Sequence, residues 1–144
     1  MSPVARQLLA MLWLVTTLLV AAAWHAGTPV DAEALRPRAA QAHSLAAETL
    51  MLATLAAQQR LPAAVTQRQA GQLLQHVRDA TREMAGLRVR ADLAATRDAL
   101  RPPLLAVERA LEQLQARQPV DAPALEGAAG HLATQARALD RKVR

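Results

Sequence analysis

Residues 93–114 read LAATRDALRPPLLAVERALEQL, and this segment predicts the architecture of the whole chain. Its large apolar residues recur every three, four or seven positions, which is the spacing of one face of an α-helix. They are Leu93, Leu100, Leu104, Val107, Leu111 and Leu114. Pro102 and Pro103 interrupt the segment, but the apolar phase continues across them. We therefore expect one kinked helix over residues 91–117.

The same spacing recurs in two other parts of the chain. Helices are predicted over residues 66–87 and 122–143, and a further helix over 29–59, where leucines cover more than half of the circumference. The apolar faces of the first two are Ala70, Leu73, Val77, Ala80, Met84 and Leu87, and Leu125, Ala129, Leu132, Ala136, Leu139 and Val143. Alanine on these faces predicts close helix packing of the coiled-coil type.

Capping residues indicate where three of these helices begin. Thr28 would cap the helix of residues 29–59, with Pro29 in its first position, where proline is tolerated. Thr66 and Gln69 match a capping box, in which the two side chains satisfy each other's backbone N–H groups. Asp121 would cap the last helix.

The expected fold class is all-α, with an N-terminal membrane-inserted helix followed by an antiparallel four-helix bundle over residues 28–144. The alternative is a three-helix bundle, in which the second and third helices fuse or the first docks only at one end. Aromatic residues make up 1% of the chain, and the two tryptophans, Trp13 and Trp24, precede the bundle. Its core must therefore consist of Leu, Ala, Val and Met.

Residues 1–27 are interpreted as a signal-anchor or signal peptide. The stretch from Leu8 to Trp24 contains no charge, no proline and no glycine, and as a helix it would be about 25 Å long. Cleavage after Ala23 would release a soluble periplasmic domain. Trp24 and His25 suit a membrane interface, so we favour a retained, single-pass anchor in a bacterial inner membrane, with the bundle on the periplasmic side.

Charge and composition exclude several partners and sites. The net charge is +5, but the 17 basic residues are spread among 12 acidic ones, so no nucleic-acid partner is predicted. There is no cysteine, which excludes disulfides, thiolate metal sites and covalent c-type haem attachment.

Met51 and His131 form the one candidate cofactor pair in the sequence. They fall on the first and last predicted helices, which would be neighbours, and a Met–His pair can hold a b-type haem in a helical bundle. However, His131 precedes the core residue Leu132 and points about 100° away from the core. Met51 is likewise off its apolar face, so no cofactor is predicted.

No constellation predicts catalysis or metal binding. His76 lies among Asp79 and Glu83 on a predicted solvent-facing surface, and Ser44 is adjacent to His43, which places their side chains apart on a helix. The chain is therefore expected not to be an enzyme.

The expected function is a membrane-tethered, extracytoplasmic helical interaction or scaffold module. It would contact another envelope protein or associate with itself. The alternatives are a small-ligand or b-type haem carrier in the bundle core and a sensor-like ligand-binding domain.

Overall fold

The computed structural model describes residues 29–143, and its regular elements are all α-helices. They are α1 (Ala32–Ala57), α2 (Ala63–Gly86), α3 (Ala91–Ala99), α4 (Arg101–Gln115) and α5 (Ala122–Val143). The all-α class is confirmed for this part of the chain. The helix predicted to enter the membrane, in residues 1–27, lies outside the described residues. Within residues 29–143, none of the helices combines enough length with enough hydropathy to cross a membrane.

The helices form four rods, because α3 and α4 follow each other almost without interruption. The α1 rod packs against α2 and α5, and α4 packs against the same two helices. Near the start of α1, Arg38 pairs with Glu83 near the end of α2 at 2.7 Å, and Arg36 pairs with Asp140 near the end of α5 at 3.2 Å. Both neighbours of α1 therefore run antiparallel to it. The three-helix alternative is wrong, since the second and third rods are separate and α1 packs along its length.

Leucine and alanine from all four rods fill the core. The predicted apolar face of residues 93–114 is buried at every position. On α2 the prediction is right at Ala70, Val77 and Met84, but it omitted Leu74, which is buried while Leu73 is only partly covered. The largest fully buried side chains are Leu35, Leu93, Leu100, Leu104, Leu111, Leu125, Leu132, Leu139, Val77, Val107 and Thr49.

The third rod is interrupted at Leu100, between α3 and α4. Leu100 keeps helical torsions (φ −78°, ψ −21°), and the Leu104 N–H reaches its carbonyl oxygen at a long 3.4 Å. Pro102 and Pro103 occupy the first turn of α4, where a missing N–H breaks no helical hydrogen bond. The apolar face therefore continues from α3 into α4 across the two prolines.

Two of the three predicted capping residues do not cap a helix in the structure. Asp31, not Thr28, caps α1: its Oδ1 accepts from the backbone N–H three residues on, at 3.0 Å. The capping box at Thr66 is wrong, because α2 begins directly after Pro62 and Thr66 lies inside its first turn, donating to the Pro62 carbonyl. Pro62 has the torsions of the residue before a helix (φ −58°, ψ 141°), so α2 begins at Ala63, upstream of the predicted start at residue 66. Asp121 caps α5 as predicted, accepting a backbone N–H at 3.1 Å.

Candidate functional site

One end of the bundle contains a cleft of about 660 Å³, which we call the end cleft. The α1–α2 connection (residues 58–62) and the α4–α5 connection (116–121) form its walls, and all four rods contribute to it. The apolar side chains that line it are Leu50, Ala53, Ala56, Ala57, Leu61, Ala63, Leu114, Pro119, Val120 and Ala122. An apolar concavity of this volume is typical of binding sites for small molecules or for the anchoring side chains of a partner.

Polar side chains surround the mouth of the end cleft. Arg117 is held there by a hydrogen bond from its Nη2 to Oε1 of Gln67, at 3.1 Å. Gln67 in turn donates from Nε2 to the Gln115 carbonyl, at 3.0 Å. Arg117 forms no ion pair with any described residue, and Glu126 is the other charged side chain of the lining. The mouth is therefore polar but carries almost no net charge.

Both walls of the end cleft contain a residue with a left-handed backbone. Gln59 has φ 54° and Arg117 has φ 56°, and each directly follows the C-cap residue of its helix. The Arg60 N–H donates to the Leu55 carbonyl at 2.9 Å, and an equivalent bond of 2.8 Å closes the end of α4. These bonds define two Schellman motifs, in which glycine is the usual left-handed residue. Here glutamine and arginine take that position and keep polar side chains at the cleft.

A second depression of about 300 Å³, the side groove, runs between α1 and α2. It is lined by Glu48, Met51, Leu52, Leu55, Gln69, Gln72, Leu73 and His76. Met51 is 61% exposed, which is unusual for a large apolar side chain. Flexible methionines are typical of protein-binding surfaces, so the side groove is a secondary contact candidate.

The structure does not bring the candidate haem ligands together. Met51 projects into the side groove next to α2, whereas His131 is exposed on α5 and lines neither the groove nor the end cleft. Both side chains lie outside the core, in the directions that their helical positions predict. No group of three or more His, Asp or Glu side chains within residues 29–143 is placed to hold a metal ion.

Arg78 links the second and third rods on the bundle surface. Its Nε bonds to Glu108 at 2.8 Å and its Nη2 to Glu112 at 2.7 Å. The hydrogen bond that Arg78 donates to Glu108 is the main reason that the pKa of Arg78 is raised, and the bond that it donates to Glu112 adds to the effect. A guanidinium stays charged at any physiological pH, so this contact between the two rods does not depend on the protonation state of Arg78.

The end cleft could not be predicted from the sequence. Its walls come from two connections more than 50 residues apart in the chain, and no local pattern reports that they meet. The one local sign was that two helices end without glycine, at Gln58-Gln59 and at Ala116-Arg117.

Comparison with known proteins gave no relative. No family model matches the chain, no curated protein is significantly similar to it, and no solved structure matches it.

Proposed function

We propose that this chain is a membrane-tethered, extracytoplasmic helical interaction module with no catalytic activity of its own. Residues 1–27 would anchor it in a bacterial inner membrane, and the bundle would stand on the periplasmic side. Its partner would be another envelope protein, which inserts apolar side chains into the end cleft.

The observation that carries this proposal is the position of the end cleft relative to the point where the leader joins. The chain enters the bundle beside the α2–α3 connection, where the Val30 N–H donates to the Arg88 carbonyl at 2.7 Å and the Arg90 N–H returns to Val30 at 3.3 Å. The end cleft lies at the other end of α1, which at 26 residues is about 39 Å long. A bundle tethered at residue 29 would thus present the cleft to the periplasm.

The chemistry of the end cleft also favours contact over catalysis. Its lining combines a continuous apolar floor with amide and hydroxyl groups, and its two charged side chains, Arg117 and Glu126, form no ion pair with each other. Interfaces in which a few buried apolar anchors are surrounded by a polar rim have this composition.

Topology and retention are tested first. Alkaline phosphatase fused after Arg144 should be active, since the enzyme requires export, and the chain should stay in the membrane pellet after carbonate extraction. N-terminal sequencing that starts at Trp24 would instead establish cleavage after Ala23 and a soluble periplasmic domain. An inactive fusion and a cytosolic chain would contradict both forms of export.

Contact at the end cleft is tested by photocrosslinking in living cells. A photoreactive residue at Gln58, which lines the cleft, should give one discrete crosslinked product with an envelope protein. The matched control is Gln41, which is also an exposed glutamine at α1 but lies away from the cleft. Equal crosslinking from both positions, or none from Gln58, would count against the cleft as the contact surface.

A further inference from the structure

We infer that the end of the bundle where the chain enters binds anionic phospholipid headgroups of the bilayer that holds the leader. We call this surface the leader end; it comprises residues 29–33, 86–92 and 139–143. The inference rests on the proposed function, because it requires a tether in the membrane. It adds a second contact, between the folded bundle and the lipid surface, that fixes the orientation of the bundle relative to the membrane.

Only a short length of chain connects the apolar stretch to the bundle. Six residue steps separate Trp24, the last residue of the apolar stretch, from Val30. Fully extended, they span about 20 Å. Main-chain hydrogen bonds fix Val30 to both Arg88 and Arg90. The connecting segment therefore cannot become longer unless these bonds break. An anchored leader would therefore hold the leader end within about 20 Å of the membrane interface.

Charge is distributed unevenly along the bundle axis. The half nearest the leader, residues 29–44, 75–103 and 133–143, contains eleven cationic and seven acidic side chains. The other half, residues 45–74 and 104–132, contains four cationic and five acidic ones. The positive excess thus lies entirely in the half that the tether would bring to the bilayer, which is the orientation that a negative surface potential favours.

Some of these cations have no acidic partner among the residues that the structure describes. Ion pairs neutralise six arginines of this half: Arg36, Arg38, Arg78, Arg82, Arg90 and Arg97. At the leader end, Arg88, Arg141 and Lys142 are exposed and form no ion pair with any described residue.

Four acidic residues share the leader end with these three cations, and ion pairs already engage two of them, Asp92 and Asp140. The Asp31 carboxylate already accepts a backbone N–H as the cap of α1, and Glu33 is exposed in the first turn. The cations themselves come from separate elements, Arg88 from the α2–α3 connection and the other two from the last turn of α5. Cations spread over an end surface suit an array of headgroups better than a single phosphate, and each one near an anionic membrane strengthens association about five-fold.

The experiment uses the full chain in lipid vesicles. Because the chain has no cysteine, a single Ala91→Cys at the leader end carries an environment-sensitive fluorophore, and Ala124→Cys at the far end serves as the control position. Acrylamide, a neutral quencher, reports exposure without being repelled by charged lipid. Replacing one third of phosphatidylcholine by phosphatidylglycerol should lower quenching at Ala91 at least two-fold, and high salt should reverse the change. Quenching at Ala124 should not change.

Matched charge variants identify the contact. The triple variant Arg88→Gln, Arg141→Gln, Lys142→Gln should lose the lipid-dependent protection of the Ala91 label. The control triple Arg60→Gln, Arg68→Gln, Arg109→Gln removes the same number of exposed cations without ion pairs from elsewhere, and it should keep the protection. Equal quenching in the two lipid mixtures, or equal loss in both triples, would overturn the inference.

Vesicle flotation separates this inference from the proposed function. A chain that floats with both kinds of vesicle but shows no lipid-dependent protection would keep the tether and refute the headgroup contact. A chain that floats with neither would refute the tether and, with it, the inference that depends on it.

Discussion

Gln59 and Arg117 show how single residues shape the end cleft. Each reverses the chain after a helix by taking a left-handed torsion, which costs an L-amino acid about 1–2 kcal/mol relative to its usual torsions. Glycine would adopt the same torsion without this cost but would leave no side chain at the cleft. Residues that keep strained torsions are enriched at functional sites, which agrees with the proposed contact role.

Replacing Gln59 by glycine should stabilise the fold. We expect Gln59→Gly to raise the free energy of unfolding by about 1 kcal/mol, because the left-handed strain disappears while the Schellman hydrogen bonds remain. Urea unfolding followed by circular dichroism measures the change. The control is the neighbouring Gln58→Gly, whose φ of −79° offers glycine no advantage, so it should be neutral or destabilising. A loss of stability in Gln59→Gly as large as in the control would contradict the torsion described here.

The confirmed cap at Asp121 and the capping box that the structure does not contain give a second prediction at this scale. Asp121→Ala removes a side-chain cap of α5 and should lower the free energy of unfolding by about 1 kcal/mol. Gln69→Ala should change it by less than about 0.3 kcal/mol, since Gln69 is exposed inside α2 and caps nothing in the structure. The same urea titration distinguishes the two. A large effect of Gln69→Ala would restore the capping box that the sequence alone suggested.

At the scale of single helices, sequence periodicity predicted most of the packing. All six residues of the apolar face in the third rod are buried, because a heptad pattern over 22 residues leaves one face available to the core. The heptad pattern did not include Leu74, which is buried. The buried face of α2 is wider there than the single row of residues that a heptad pattern defines. Helix starts were predicted less well. Capping residues are common in non-capping positions, and Pro62 determined the start of α2 instead.

The small residues of α1 lead to a prediction about helix spacing. Ala39, Ala42 and Ala46 are fully buried, and α1 and α5 share the most extensive helix contact of the bundle. Ala42→Leu adds volume at a fully buried position of α1 and must push neighbouring helices away or distort side chains, so we expect a loss of about 2 kcal/mol in thermal or urea unfolding. Ala40→Leu, on the exposed side of the same helix, should change stability by less than about 0.5 kcal/mol. If both variants were equally stable, α1 would not pack as closely as described.

At the scale of the whole molecule, the features proposed to be functional depend on the assembled bundle. The end cleft requires two distant connections to meet, and the charged leader end requires the start of α1, the α2–α3 connection and the end of α5 to lie together. A single sequence contains the residues for both surfaces but no local pattern that shows their proximity. This is why the fold class could be predicted from periodicity, whereas neither surface could.

Because one core runs through all four rods, the two ends should unfold together. Leu93 lies near the leader end and Leu125 near the end cleft, roughly 30 Å apart along the bundle axis. Both are almost completely buried, so Leu93→Ala and Leu125→Ala should each lower the free energy of unfolding by about 2–4 kcal/mol.

Residues this far apart share no contacts, and the double variant should therefore equal the sum of the single variants within about 0.5 kcal/mol. Each variant should show one urea transition with an unchanged slope. If Leu125→Ala instead produced a separate early transition, the end cleft would open independently of the leader end. The two proposed contact surfaces would then belong to two folding units, and the rigid link between membrane contact and cleft orientation would be lost.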